Sequence, residues 1–295
     1  VSALADRAVN EIRSGVPERE YYADKDSLSH SGAKLLIAPS VPAKFREWLI
    51  TPQEPPSEAM EFGSVTHKLV LGEGADVAVL EPDVHGLKAD GTLADKPTAT
   101  KAWKEAEAEA REAHRIPIHV DSFTKAQAMA EAVFQHPVAG PLLTLPGEAE
   151  QSFYAADPAT GVALRGRTDR VVEYDGRLHI VDYKTSASAS HEDFGRIALK
   201  YRYYLQWAWY RTLSGLCGLD DDPAFVFIVQ EKTSPYLVNV ITLDDEALDL
   251  GRIHMRQAID TYARCTESGV WPGYEETIHT VSLPVWAFPE EDIVI

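Results

Sequence analysis

Cysteine is almost absent: Cys217 and Cys265 are the only two in 295 residues. A four-cysteine zinc or iron–sulfur site is therefore excluded. The opening VSALADRAVNEIRSG has no basic-then-apolar export pattern, so reduced thiols in a cytoplasm are expected. Long apolar runs are missing too, which leaves no candidate membrane-spanning helix and no expected membrane partner. Positive charge is scarce, with 28 Lys and Arg against 46 Asp and Glu and a formal net charge of −18. A surface of that sign repels polyanions, so any contact with nucleic acid has to come from a local exception. Internal repeats and low-complexity segments are absent. The remainder, 45% hydrophobic and 25% charged, suffices for a sizeable core in an ordinary globular chain.

The local exception runs from Arg165 to Arg211, where nine Lys and Arg outnumber six Asp and Glu. Inside it lies DRVVEYDGRLHIVDYKT, residues 169–185. Asp175-Gly176, within the turn Tyr174 to Arg177, reads as a hairpin joining two strands. Alternation along the second strand puts Asp182 and Lys184 on one face and Tyr183 on the other. Leu178, Ile180 and Val181 make that strand apolar on both sides, as in a buried strand. An acid or a lysine there carries a desolvation cost, which a metal offsets. Hairpin closure brings Asp169 toward the pair. Two carboxylates and a lysine suit a divalent cation held by oxygen ligands, with a positive group beside a water attacking a phosphodiester. Taken alone, an Asp-x-Lys pair is more often a solvated sheet edge.

Around the hairpin the pattern is helical first and strand-rich later. Ser29 or Ser31 caps a helix through residues 33–37, with Pro39 and Pro42 as breakers. Residues 45–49 form a second short helix, and 51–58 a Pro-rich loop. A helix over 60–71 carries His67, with Met60, Val65, Leu69 and Val70 as its apolar stripe. Residues 83–101 read as an exposed loop. Helices follow over 103–114, with a solvated acidic face, and over 121–134, packed through Met129 and Val133. Strands are expected at 151–155, 162–167 and 178–184, then one long amphipathic helix over 191–213. Strands at 224–230 and 236–242 and a helix from an Asp244 cap to about 266 complete the pattern, and 271–295 is irregular. The whole is a mixed α/β (α+β) core behind a helical region.

The ordered set Glu150, Asp169, Asp182-Tyr183-Lys184 and Gln206-x-x-x-Tyr210, preceded by Gly63-Ser64-Val65-Thr66-His67, resembles the PD-(D/E)XK nuclease superfamily. Within it the chain is most similar to the RecE-type exonucleases (exodeoxyribonuclease VIII) of phages and prophages. Ser29-His30-Ser31, Phe62, the strand from Glu150 to Tyr154 and SLPVW at 282–286 extend the likeness over nearly the whole chain from Tyr21. Arg167-Thr168-Asp169 departs from the Pro-Asp of the motif's name.

The resemblance implies a restriction-endonuclease-like core, a mixed sheet flanked by helices with an N-terminal helical region. It implies one domain over 21–288, helical over 21–147 and catalytic over 148–266, between an extension at 1–20 and an acidic tail at 289–295. Asp169, Asp182, Glu150, His67 and the Tyr183 carbonyl are implied ligands for Mg²⁺, with Mn²⁺ as a substitute and Ca²⁺ as a poorly catalytic one; Glu148 is the neighbouring alternative to Glu150. Lys184 is implied to orient the attacking water or to stabilise charge on phosphorus, and Gln206 to face the cleft, with Tyr210 behind it. Lys34, Lys44, Arg46, Arg165, Arg167 and Arg202 are candidate phosphate contacts; Thr185 and Ser186 either bond a phosphate or cap the next turn. The implied activity is 5′-to-3′ digestion of linear double-stranded DNA, leaving 3′ single strands for recombination by annealing. Implied partners are DNA ends, a RecT-type annealing protein and further copies of the chain in a ring. A RecB-like or Cas4-like nuclease, a structure-specific endonuclease and a silent DNA-binding module are the alternatives.

Overall fold

The Asp175-Gly176 turn forms as its sequence demands: both residues take positive φ, 51° and 72°, which matches the twist of a two-residue hairpin. In the computed structural model, which describes residues 10–51 and 55–284, that hairpin lies in a seven-stranded mixed sheet. The strands, in chain order, are β1 (Glu11–Arg13), β2 (Leu28–Ser29), β3 (Val77–Leu80), β4 (Ile116–His119), β5 (Gly147–Ala156), β6 (Ala163–Tyr174), β7 (Arg177–Ser186), β8 (Ala224–Glu231) and β9 (Val238–Ile241). The large sheet runs β1-β5-β6-β7-β8-β9, with β2 alongside β6, while β3 and β4 pair separately as a parallel ribbon. The helices are α1 (Glu18–Ala23), α2 (His30–Ala33), α3 (Pro42–Ile50), α4 (Glu58–Leu71), α5 (Pro82–His85), α6 (Lys101–Glu112), α7 (Val120–Gln135), α8 (Ala139–Thr144), α9 (His191–Tyr201), α10 (Tyr203–Leu216) and α11 (Asp245–Ser268). No helix among the described residues is long and apolar enough to cross a membrane.

The sheet is forked. β6 and β7 pair antiparallel from Tyr174↔Arg177 to Arg170↔Val181, and there the ladder stops. Beyond it β7 continues in parallel with β8 as far as Ser186↔Glu231. β5 covers one edge of β6 along its length, so β2, at Leu28↔Leu164 and Ser29↔Arg165, takes the edge that β7 has left. Asp169 and Asp182 stand at the point of divergence.

Two apolar layers clamp the sheet. On one face Ile180, Phe225, Phe227 and Val229 pack under Leu205, Trp209 and Leu213 of α10 and Ala258 and Ile259 of α11. On the other, Val181, Tyr183 and Ile228 pack under Val70 of α4, Val133 of α7 and Leu142 of α8. Val65, Ile118 and Ala126 tie the β3–β4 ribbon to α4 and α7.

Several boundaries differ from the sequence reading. Residues 162–167 and the strand opening at Asp169 are one continuous strand, β6. The expected helix over 191–213 is two, because Arg202 takes a left-handed φ of 58° and its guanidinium donates to the carbonyls of Lys34 (2.7 Å) and Ala38 (2.5 Å). Amphipathic spacing alone carries no sign of that anchor. Ser29 does cap α2, accepting from Gly32 N–H at 3.3 Å, but the helix closes after four residues. Pro42 opens α3 at its first turn, where a missing N–H is harmless. Met60 is 63% exposed and stands outside the α4 stripe. The ribbon strands β3 and β4 and short α5 were not apparent in the sequence pattern. β1 pairs with β5, so the sheet already includes residues ahead of Tyr21. Residues 1–9 of the expected extension, Val285-Trp286 of the tail segment and the acidic tail at 289–295 lie outside the described residues.

Gly251 of α11 lets that helix close on α10, since a Cβ there would stand 2.3 Å from the Tyr204 carbonyl and 2.8 Å from Ala208 Cβ. Gly195 on α9 has nothing within 4 Å. Gly251→Ala is expected to lower unfolding free energy by about 1–3 kcal/mol through overpacking. Gly195→Ala is expected to raise it by roughly 0.5–1 kcal/mol through helix propensity. Urea melts of the two variants check both signs.

Candidate active site

Asp169 sits where the β6–β7 ladder ends, and its carboxylate replaces the missing rung: Oδ2 accepts the Tyr183 N–H at 2.8 Å. Across the β5–β6 ladder, between the pairs Ala149↔Arg170 and Gln151↔Thr168, it faces Glu150. Glu150 takes a left-handed φ of 50° inside a strand, a strained state for a residue with a Cβ. Two carboxylates on opposite strands repel unless a positive group stands between them. His67 of α4 supplies one. Its Nε2 is 3.2 Å from Asp169 Oδ2 and its Nδ1 3.6 Å from Glu150 Oε1. One donor atom from each of the three lies within 4.8 Å of the others.

A second group lies on β7. Asp182 is 1% exposed, with Oδ1 accepting from Gln206 Nε2 at 2.5 Å and Oδ2 lying 2.5 Å from Lys184 Nζ. The lysine contact is a buried ion pair that supplies the positive charge facing Oδ2. Lys184 also lies 5.3 Å from the centre of the Tyr203 ring. Gln206 is buried on α10, one turn before Tyr210, which packs against Phe225 and His30 and over Gly166. Tyr183 points to the opposite layer, where its hydroxyl donates to Gln230 Oε1 at 2.5 Å.

Charge and burial shape the protonation of both groups. Burial works against the His67 charge, but Asp169 and then Glu150 override it and raise the imidazole to about 9. Burial and then Asp169 raise Glu150 to about 7. Asp169 is held below the usual carboxylate range: burial opposes this, and His67, Lys184 and the Tyr183 N–H outweigh it. Burial lifts Asp182 to about 6, with Lys184 opposing and Asp169 adding. Lys184 is raised, since Asp182 and Asp169 outweigh its burial. Near neutrality His67 is thus an imidazolium, the positive group between the two facing acids.

These residues fit a hard divalent cation. The facing carboxylates offer oxygen ligands and the imidazole has both ring nitrogens turned to them, with Arg167 3.8 Å from Glu150 Oε2. The geometry gathers Asp169 with Glu150 and His67, whereas Asp182 is held apart by Gln206 and Lys184. Tyr183, whose carbonyl the resemblance puts among the ligands, borders the group through its N–H. Glu148 is exposed and accepts from Ser14 Oγ at 3.3 Å, so Glu150 is the acid that faces Asp169.

The expected phosphate contacts divide. Arg165 is buried, bonded to the Asp24 carbonyl and to Ser27 Oγ, and packed over Tyr21. Arg167 donates to Ser152 Oγ (3.0 Å) and the Val16 carbonyl (2.7 Å), and lies 3.8 Å from Glu150 Oε2. Both brace the sheet's edge and the α1 segment instead of presenting their charge to solvent, as does Arg202 at its carbonyl anchors. Lys44 donates to the Tyr274 hydroxyl, and Arg46 is exposed on α3. Lys34 is half-buried, brought down to about 8 by burial and then by Lys184, whose charge it therefore neighbours. Thr185 follows Lys184 on β7, and Ser186 Oγ accepts from Ser188 N–H at 3.4 Å, a turn contact. Sequence reasoning gave no role to His30 or Tyr203. Burial, Lys34 and Lys184 keep His30 uncharged. The Ser29-His30-Ser31 segment was visible in the sequence, but its place beside Lys184 follows from β2 joining β6.

A family profile described as a PDDEXK-like domain of unknown function (DUF3799) matches residues 39–284. No curated protein matches the chain in sequence. Among solved structures, a "putative exonuclease" from Eubacterium rectale superposes with a TM-score of 0.60 at 16% identity, over 92% of this chain and 97% of that one. SSO0001 (TM-score 0.28, 14% identity, 69% of this chain and 84% of that one) is too distant to argue from. The same holds for VC1899 from Vibrio cholerae (TM-score 0.24, 12% identity, 71% of this chain and 50% of that one).

His67 and Glu150 have to shed protons before they can ligate. Affinity for Mn²⁺ is therefore expected to rise with pH, about tenfold per unit below 9 and more steeply below 7, where Glu150 is also protonated. Calorimetric titration in buffers of different ionisation enthalpy measures the released protons. His67→Ala should flatten the slope between 7 and 9.

Proposed function

The chain belongs to the family of PDDEXK-like domains (DUF3799), and from that membership we propose that it is a metal-dependent deoxyribonuclease digesting linear double-stranded DNA. The observation that carries the reading is the fork itself, where Asp169, Glu150 and His67 converge beside the Asp182–Lys184 pair. Asp169, Glu150 and His67 would hold Mg²⁺, or Mn²⁺ in its place, with Asp182 and the Tyr183 carbonyl completing the set. When bound, such a cation polarises a phosphoryl oxygen and activates water. Lys184 directs its ammonium at the scissile phosphate or the attacking water and offsets charge growing on phosphorus. Gln206 fixes the Asp182 carboxylate, and Tyr210 backs the helix that carries Gln206. Lys34, whose pKa burial and then Lys184 lower, would contact a phosphate beside it, and Thr185 is the further candidate for a phosphate contact.

The finer reading rests on the RecE-type resemblance. It is 5′-to-3′ digestion that leaves 3′ overhangs, a ring of identical chains around the duplex, and a RecT-type annealing partner in a bacterial cytoplasm. Lys184, with Lys34 close enough to feel its charge, supports entry of DNA at the fork, and the net charge of −18 disfavours binding along the outer surface.

Linear duplex labelled at either end, incubated beside a covalently closed circle, tests the reading. With Mg²⁺, loss of the linear substrate alone, from its 5′ ends, is expected. EDTA should abolish it, and Lys184→Ala should slow it about 100- to 1000-fold. Nicking of the circle would mean an endonuclease, and binding without cleavage a silent DNA-binding module.

The same site predicts a conflict between stability and activity. Glu150 titrates at about 7 in the fold against an ordinary 4.5, so its penalty is absent below 4.5, grows through that window and is complete above 7. Glu150→Gln should therefore stabilise the metal-free protein at pH 8 by roughly 1–2 kcal/mol, with no gain at pH 4, while cutting nuclease activity. Thermal melts at the two pH values and the end-labelled assay check it.

A further inference from the structure

A stacked aromatic pair, exposed Tyr201 on half-buried Tyr203, stands beside Lys184 and has been given no chemical role so far. Tyr201 ends α9 and Tyr203 opens α10; Arg202 between them holds the left-handed kink. Tyr203 stacks on Phe227, a fully buried residue of β8, with ring centres 5.4 Å apart and planes 27° apart. Tyr201 stacks on Tyr203 in turn, at 5.8 Å and 23°. The result is a column of three near-parallel rings rising from the core to the surface, and its outermost ring is 49% exposed. Tyr201 is ordered by the stack beneath it, and the flexible side chain of Lys200 lies over its ring.

The surroundings of the column are cationic. Lys184 Nζ lies 5.3 Å from the Tyr203 ring centre, and Lys200 Nζ 5.2 Å from that of Tyr201. A flat π-face flanked by ammonium groups is the arrangement that takes an unpaired base together with its phosphates, whatever the base. A base inside a duplex has both faces covered and cannot use it.

We propose that Tyr201 and Tyr203 form a base-stacking platform for an unpaired nucleotide of the strand whose phosphate lies at Lys184. The proposal rests on the nuclease reading and adds a requirement to it: the duplex end has to fray before it is cut. Lys200 then leaves the ring for a phosphate of the same nucleotide.

The test uses the full chain without Mg²⁺, in EDTA, so that binding is read apart from cleavage. The probes are single-stranded oligonucleotides with 2-aminopurine placed in turn at the positions nearest the 5′ end. Quenching at one position is expected with the wild type. Tyr201→Ala should lose it and bind about 5- to 100-fold more weakly, while Tyr201→Phe keeps both. Circular dichroism verifies that the variants are folded. An abasic nucleotide at the quenched position should weaken the wild type by the same factor and leave Tyr201→Ala unaffected. Unchanged quenching and affinity in Tyr201→Ala would overturn the platform, whether or not the wild type digests DNA. Quenching through Tyr201 in a protein that cuts nothing would keep the platform and remove the nuclease reading. A wild type that binds no oligonucleotide overturns the platform and leaves the nuclease reading to the end-labelled duplex assay.

Discussion

Glu150 and Asp169 face each other across one step of the β5–β6 ladder, and much of the molecule answers the repulsion between them. Like charges so placed destabilise a sheet. Glu150 holds a left-handed conformation at this step. The Tyr183 N–H then takes one oxygen of Asp169, and His67 stands between the two acids. For His67 to reach them, α4 has to lie over the fork, held by α7 and by the β3–β4 ribbon. Apolar packing of a helical layer some distance away in sequence thus delivers the one imidazole the two acids need.

β7 separates two poles of charge. Toward β5 lie the facing acids; toward α10 and α2 lie Lys184, Lys34 and, further out, Lys200. Phosphodiester hydrolysis calls for both, an anionic nest for a cation and fixed positive charge for the phosphate. The pairing of Asp182 with Lys184 joins the poles and keeps each from being a lone buried charge.

Much of this was legible in the sequence, and the limits have physical causes. The Asp175-Gly176 turn, the buried strand carrying Asp182 and Lys184, and the helix bearing His67 follow from turn chemistry and apolar periodicity. So do the Asp244 cap, which accepts from Ala247 N–H at 2.9 Å, and the packing of Met129 and Val133. The break at Arg202 did not show, because its cause is a set of carbonyls more than 160 residues away. Arg165 and Arg167 looked like phosphate ligands because guanidinium groups in a basic stretch are usually free; here they are consumed by Asp24, Ser152 and Val16. The grouping of Glu150 with His67, and the separation of Asp182, depend on ladder register and on Gln206, neither of which periodicity encodes.

The parting of β6 from β7 has an evolutionary consequence. It is part of the strand order: β7 turns to pair with β8, and β2 takes the edge of β6 that β7 leaves. The acids and the lysine line a gap they do not themselves create. Selection on the chemistry and selection on the architecture therefore act on nearly separate sets of residues. A lineage can exchange ligands, alter its substrate or lose catalysis altogether while the scaffold folds as before, and kinship among such descendants outlasts any recognisable likeness in sequence.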